Sequence, residues 1–178
     1  MAETLTDSLT GTLQVRLSWD RVDTQEVGTV TNRSTKVTTY DVADGDGPGE
    51  ADLVFTDTRS IPANTVEVID LLTLTQQAFD VDVPFTFRQV RTVRVVNNET
   101  AAGRRILFGA DPGRPQTTYA VEIGPGSEFV SINHVDAWDV SDANKAIQIA
   151  NPNGAAVSYS IYLLGTSVQA PGGSGSGA

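Results

Sequence analysis

The sequence predicts an all-β protein, an antiparallel β-sandwich or jelly-roll-like domain of about eight to ten strands. Two observations carry this prediction. Short runs of alternating apolar and polar residues fill the second half of the chain, and this period of two is typical of half-buried strands. The runs stop at residues 124–126 (Gly-Pro-Gly) and 151–154 (Asn-Pro-Asn-Gly). Proline cannot donate to a sheet, and glycine and asparagine tolerate a positive φ, so these breaks are predicted to be turns.

The first predicted strand covers residues 12–19, where apolar residues alternate strictly with polar ones. The pattern predicts a single buried face made of Leu13, Val15, Leu17 and Trp19. Two further strands are predicted at residues 27–31 and 35–42, joined by a tight hairpin turn at residues 32–34 (Asn-Arg-Ser).

The next part of the chain begins with an acidic, glycine-rich loop at residues 41–52. Strands are then predicted at residues 51–61 and 65–72, with a turn between them that contains Pro62. A short helix could cover part of residues 71–79, although the threonines there favour a turn or irregular segment nearly as well.

Residues 85–96 are predicted to form a long strand in which the apolar pattern changes phase. Phe85 and Phe87 share one parity, Val90 takes the other, and the later valines return to the first. A β-bulge or bend at residues 88–91 would reconcile the two phases, because a bulge inserts one extra residue into a strand.

The chain has 178 residues, which is the length of one ordinary domain. We predict a flexible N-terminal arm at residues 1–11, a single domain at residues 12–167, and a flexible Gly/Ser-rich tail at residues 168–178. No apolar run approaches the ~20 residues of a membrane helix, and the N-terminus does not resemble a secretory signal. Without cysteine, neither a disulfide nor a thiolate metal site can form.

The formal net charge of −10 is unevenly distributed. Residues 1–82 contain 15 acidic and 5 basic side chains, whereas residues 83–178 contain 7 of each. An acidic surface repels phosphate, so nucleic acid is not an expected partner despite Arg88, Arg91 and Arg94. Residues three apart in a strand do not share a face, so these arginines are better explained by pairing with carboxylates, within the fold or between subunits.

The acidic loop is the first candidate site, because several carboxylates fall within twelve residues, as calcium sites require. These residues are Asp41, Asp44, Asp46, Glu50 and Asp52. Pro48 stands where the next ligand of a calcium loop should be, and no glutamate follows at the proper distance. A solvated surface loop is therefore the favoured interpretation, and we predict no metal and no cofactor, although calcium binding stays open.

Catalytic arrangements are incomplete in this sequence. Carboxylates also cluster at Asp80 and Asp82 and at Asp136, Asp139 and Asp142, but sequence cannot establish the separation that a glycosidase needs. His134 is the sole histidine, and although Ser131 and Asp136 flank it, no Gly-x-Ser-x-Gly elbow is present. We therefore predict no catalytic residue. Trp138 is predicted to anchor the core rather than to contact a neighbouring subunit.

Four segments carry a resemblance to a known family: residues 49–71 with their Asp-x-Arg pair, 85–98 ending in asparagine, 121–133 with a Pro-Gly hairpin, and 147–167 ending in Gly-Thr-Ser. In this order, and over about residues 12–167, they resemble small structural proteins of tailed bacteriophages and their prophage copies. The resemblance implies a β-sandwich that attaches to capsids or tails and has no catalytic residues to transfer.

The resemblance, together with the acidic charge, leads us to expect an accessory head or decoration protein on the outer capsid surface, made in the host cytoplasm and located in the virion. Its expected partners are the major capsid protein or other virion proteins, and a homo-oligomer, preferably a trimer, with no nucleic acid and no membrane. The alternative is a tail, neck or fibre module that binds a host-surface receptor or glycan. A carbohydrate-active enzyme is a third, poorly supported class.

Overall fold

The structure, a computed structural model, describes residues 9–25, 28–78, 81–109 and 121–167. These residues form thirteen strands and no helix. The strands are β1 (Gly11–Gln25), β2 (Gly28–Val42), β3 (Leu53–Ile61), β4 (Thr65–Asp70), β5 (Leu74–Ala78), β6 (Val81–Phe85), β7 (Gln89–Asn97), β8 (Ile106–Phe108), β9 (Val121–Ile123), β10 (Glu128–Ile132), β11 (Trp138–Asp139), β12 (Ala146–Asn151) and β13 (Val157–Thr166).

Nine strands form two antiparallel sheets that pack against each other as a β-sandwich, which confirms the predicted fold class. One sheet has the order β10-β7-β13-β3, with the short β11 also paired to β7, and the other has the order β4-β12-β8-β9. The chain changes between these two sheets at the β3 to β4, β7 to β8, β9 to β10, β11 to β12 and β12 to β13 connections, and it passes from β4 to β7 through the separate β5–β6 hairpin. The predicted turns at residues 124–126 and 151–154 lie at the β9 to β10 and the β12 to β13 connections.

The core lies between the two sheets and is built from the inward-facing residues of both. In β13 and β12 every second residue is buried, as the period of two predicts. The largest fully buried apolar side chains are Tyr159, Phe55, Phe87, Phe108, Ile61, Ile69, Leu71, Ile106, Ile149, Ile161 and Leu163. Trp138 is partly buried and packs against this core, which confirms the core assignment for that residue.

The phase change in the middle of the chain is a β-bulge, as predicted. β6 ends at Phe85 and β7 begins at Gln89, so the apolar run is two strands with a break between them. Within β7, Thr92 pairs with Leu164 while Val90 pairs with Gly165, and Arg91 has no partner opposite it. The extra residue at Arg91 shifts the strand by one position and turns its side chain towards the protein interior.

The first two strands form a separate hairpin, the β1–β2 ribbon, in which Gly11 pairs with Val42 and Gln25 with Gly28. The predicted turn at residues 32–34 is therefore wrong: these residues lie within β2. There Arg33 lies opposite Asp20, and its Nε is 2.8 Å from the Asp20 Oδ1. A cross-strand ion pair of this kind favours continued pairing over a turn, and the segment contains no glycine that would favour a reversal.

The predicted buried face of the first strand is also wrong. Val15 is 47% exposed, Leu17 61% and Trp19 47%. The alternation does place these side chains on one face of β1, but within the described residues no layer of the protein covers that face. Periodicity identifies which residues share a face and does not establish that the face is buried.

No helix forms at residues 71–78, so the helical alternative for this part of the chain is wrong. Residues 71–73 make a turn, and β5 follows and pairs with β6 from Leu74↔Phe85 to Ala78↔Val81. Threonine has a higher propensity for strands than for helices, and a neighbouring strand supplies the partner. Residue 79 itself lies outside the described residues.

The ends of the chain lie mostly outside the described residues. Residues 1–8 of the predicted arm and the whole predicted tail, 168–178, belong to this part. Gly11, predicted to belong to the arm, begins β1, and the Leu9 backbone N–H donates a 2.9 Å hydrogen bond to Asp44 Oδ1. Among the described residues there is no helix long and apolar enough to cross a membrane.

Candidate interaction surface

Three carboxylates of the acidic loop accept hydrogen bonds from backbone N–H groups. Asp44 accepts from the Leu9 backbone, Glu50 Oε2 accepts from the Gly47 N–H at 2.9 Å, and Asp52 Oδ1 accepts from the Ser167 N–H at 2.7 Å. In the part of the chain that the structure describes, no three metal-ligating side chains come together. These contacts hold the loop in place and give it a structural role.

Arg91 is the residue that fixes this loop to the sandwich. Its side chain is 1% exposed, and its guanidinium donates to four backbone carbonyl oxygens. Two belong to the loop after β2: Nη2 to Gly47 at 2.7 Å, and Nε to Glu50. The other two, from Nη1, belong to the connection before β11: His134 at 3.1 Å and Val135 at 2.9 Å. Burial lowers the pKa of Arg91, and the nearby Glu50 carboxylate partly opposes this effect.

His134 takes part in the same arrangement as a packing residue. Its ring lies 5.4 Å from the ring of Tyr40, near the end of β2. Gly49, with a φ of +81°, lies beneath the His134 ring, and a Cβ there would be 3.2 Å from His134 Nε2. Arg91, His134 and Tyr40 therefore position the base of the β1–β2 ribbon against the sandwich.

The carboxylates that could have formed a glycosidase pair differ in their contacts and exposure. Asp139 Oδ1 accepts a 2.9 Å hydrogen bond from Gln89 Nε2, and Asp142 lies 3.8 Å from Lys145 Nζ. Asp136 and Asp82 are exposed, and Asp80 lies outside the described residues. Asp139 and Asp142 therefore interact with different side chains, Gln89 and Lys145.

A polar network that the sequence analysis did not identify lies at the edge where β3 and β4 meet. Arg59 Nε is 2.7 Å from Asp57 Oδ2, and Arg59 Nη1 is 2.7 Å from Glu67 Oε1. The Tyr159 hydroxyl donates a 2.9 Å hydrogen bond to Glu67 Oε2. Burial, followed by the Glu67 charge, raises the pKa of Tyr159. The Asp-x-Arg spacing in the sequence could have indicated the ion pair, because residues two apart in a strand share a face.

This network joins both sheets, since β3 and β13 belong to one and β4 to the other. The carboxylates are bridged by arginine, and the tyrosine hydroxyl is already used as a donor. We therefore assign the network a structural role in holding the open edge of the sandwich together.

The arginines of β7 do not form one stripe. Arg91 is buried at the bulge, whereas Arg94 faces outwards and is paired with Glu128 at 2.6 Å. The Arg94 guanidinium also lies 4.9 Å from the centre of the Tyr162 ring. This arrangement belongs to the outer face of the five-stranded sheet.

A groove of about 350 Å³ runs over this outer face. One wall is the base of the ribbon and the segment before it, including Leu9, Leu13 and Val42, and the floor comes from β3, β7 and β13. Val54 on the floor is 42% exposed and Tyr162 is 37% exposed. We call this surface the outer groove; its floor residues are Val54, Thr56, Thr92, Arg94, Tyr162 and Leu164.

The β1–β2 ribbon supplies a second apolar surface. Because directly paired residues share a face, one face carries Leu13, Val15, Leu17 and Trp19 from β1 and Ser34, Lys36, Thr38 and Tyr40 from β2. We call this the apolar ribbon face. The opposite face is more polar and includes Arg16, Asp20 and Arg33, together with the exposed Val37. Both faces are exposed between residues 14 and 20, so the ribbon stands away from the sandwich.

Comparison of the chain with protein-family models, with curated proteins and with solved structures gives no match.

Proposed function

We propose that the chain is a structural protein of a bacteriophage virion, specifically an accessory capsid protein that decorates the outer head surface. The observation that supports this proposal best is the exposed apolar ribbon face, which the chain extends away from its own core. Such a surface suits a protein that becomes part of a larger assembly.

The ribbon has the properties of a segment that is stabilised by assembly. An isolated two-stranded hairpin is marginally stable in water and needs a further layer or strand to become stable. Contiguous exposed apolar residues mark interaction sites, and tryptophan is enriched among residues that contribute most binding energy. Leu17 and Trp19, both about half exposed or more, therefore fit an interface that forms on assembly.

The charge and the family resemblance support a virion as the assembly in this proposal. A net charge of −10 disfavours contact with packaged DNA and suits an outer surface. The four segments that resemble small tailed-phage structural proteins include strands of both sheets, among them β3, β7 and β13, which form the floor of the outer groove.

The test compares particles that lack the protein with the same particles after the purified chain is added. We expect binding to saturate at a copy number set by the symmetry of the head lattice. We also expect the particles to resist heat better, since a ligand that binds only the assembled shell stabilises it by ~2.7 kcal/mol per site at a hundredfold excess over Kd.

The matched variants are Trp19→Ser on the apolar ribbon face and Val37→Ser on the opposite face. Both residues are exposed to a similar degree, 47% and 45%, so neither change should unfold the sandwich. Trp19→Ser should weaken attachment and Val37→Ser should not. Saturation at only about a dozen copies or fewer, with no gain in shell stability, would instead favour a tail, neck or fibre module.

A further inference from the structure

We propose that the apolar ribbon face of one copy packs into the outer groove of a second copy, so that the copies form a closed ring by exchanging ribbons. The inference rests on the proposed function, which supplies the virion in which the copies assemble. It adds the identity of the molecule that covers the apolar ribbon face. That partner is the same chain.

The two surfaces are chemically complementary. The ribbon presents Val15, Leu17 and Trp19 to solvent, and the outer groove presents Val54, Tyr162 and Leu164. Packing them together removes both apolar surfaces from water at once, which is the main driving force for association. The polar floor residue Arg94 is already paired with Glu128, so its charge needs no new partner there.

The ribbon does not fill the groove of its own chain. Of the ribbon, only the base lines the groove, at residues 11–13 and Val42, while residues 14–20 are exposed on both faces. Those residues would have to bend back sharply to reach their own groove, and the uninterrupted pairing from Gly11↔Val42 onwards holds the ribbon extended. A second copy can supply the missing layer without bending the ribbon.

The size of the ribbon favours exchange between copies over a single contact. Its strands of 15 residues span about 50 Å, and a width of two strands gives one face of about 500 Å². A standard interface buries about 800 Å² from each partner, so a single ribbon contact is small and gains stability when it is repeated between copies. In a closed ring each copy makes two such contacts, one with its own ribbon and one with its groove, and a copy leaves the ring only when both contacts are broken.

The charges of the ribbon and of the sandwich also favour a second copy of the chain as the partner. Residues 11–42 contain four acidic and four basic side chains, whereas residues 43–167 contain 16 acidic and 8 basic ones. Two acidic sandwiches brought face to face would repel each other, but a neutral ribbon meets an acidic sandwich without this penalty. A contact between two different surfaces of one chain is heterologous and closes into a ring when the rotation permits.

The first experiment measures the mass of the full chain by light scattering from micromolar to millimolar concentration. We expect a discrete oligomer larger than a dimer, with the trimer as the predicted size. Leu17→Ser should raise the dissociation constant at least ~10-fold, because it removes a buried leucine side chain from each contact. Val37→Ser, on the opposite face, should leave it unchanged. A chain that stays monomeric at every concentration would overturn the proposal.

The second experiment tests by disulfide cross-linking whether the ribbon lies in the groove. The chain has no cysteine of its own, so only the introduced cysteines can react. A Leu17→Cys chain mixed with a Thr56→Cys chain should form a disulfide-linked pair under mild oxidation. A Val37→Cys chain mixed with the same Thr56→Cys chain should not. If instead Leu17→Cys links only to itself, two ribbons pack face to face and the groove is not the partner, which overturns the proposal.

The two proposals fail separately. If the chain is monomeric but still saturates capsids, and Trp19→Ser abolishes this binding, the proposed function stands and the ribbon exchange is wrong. The capsid protein is then the partner of the ribbon. If the chain forms a ring through the groove but binds no particle, the ribbon exchange stands and the proposed function is wrong.

Discussion

Arg91 Nη2 donates a 2.7 Å hydrogen bond to the carbonyl oxygen of Gly47, a residue 44 positions earlier in the chain. Through this contact a buried bulge in the five-stranded sheet holds the loop that follows the ribbon. The same guanidinium holds the connection that carries His134, whose ring contacts Tyr40 in β2. The direction of the ribbon therefore depends on one arginine that lies inside the sandwich.

Replacing Arg91 by alanine should lower the free energy of unfolding by about 3 kcal/mol or more, since four carbonyl oxygens lose a charged donor inside the protein. Urea unfolding measures the change. Arg94→Ala in the same strand is the control. It removes an exposed ion pair and should cost about 1 kcal/mol or less. Equal losses for the two variants would contradict the role of Arg91.

Gly165→Ala should destabilise the protein by about 2 kcal/mol or more. Gly165 lies beside the bulge, and a Cβ there would overlap the carbonyl oxygen of Gln89 in the neighbouring strand. Gly154→Ala is the matched control, because nothing lies within 4 Å of the added Cβ. It should change stability by no more than about 0.5 kcal/mol. Thermal unfolding of both variants measures the difference, and a tolerated Gly165→Ala would show that the strands can separate there.

Tyr159→Phe should lower the free energy of unfolding by about 1 to 2 kcal/mol, because Glu67 loses a hydrogen-bond donor at the edge between the sheets. Tyr162→Phe, on the exposed outer face, should cost less, and denaturant unfolding measures both. Comparable losses would show that the hydroxyl of Tyr159 does not stabilise the edge.

The raised pKa of Tyr159 also predicts a pH dependence. Below about pH 10 its hydroxyl is protonated in both states. Above that pH the unfolded chain loses the proton first, so the folded state binds more protons and stability falls, by up to about 1.4 kcal/mol per pH unit for this group. The difference in unfolding free energy between the wild-type chain and Tyr159→Phe should therefore shrink between about pH 9 and pH 11. A constant difference would contradict the shift.

Calcium should not stabilise the protein through the acidic loop. Asp44, Glu50 and Asp52 already accept backbone hydrogen bonds, and their positions match those contacts rather than a shared cation. We expect the unfolding temperature to be the same in calcium as in magnesium at equal ionic strength. A rise with calcium alone that disappears in Asp44→Asn would establish a calcium site.

Much of the sandwich could be predicted because its signals are local. Alternation of side chains in β12 and β13 and the proline and glycine in their connection depend only on neighbours in the chain. The bulge was also predictable, since an inserted residue at Arg91 shifts the parity of the valines around it. These features belong to the sequence by itself.

Tertiary structure decided what covers each strand and which distant residues meet. The face with Leu17 and Trp19 has the pattern of a buried strand, yet it is exposed because burial requires a second layer from elsewhere in the chain. Arg91 was visible as a cation in a strand, but its four carbonyl partners lie more than 40 residues away and have no sequence signal, since any residue supplies a carbonyl. The sequence therefore determined the strands and their faces, and the three-dimensional arrangement of the sheets decided which faces were left for a partner.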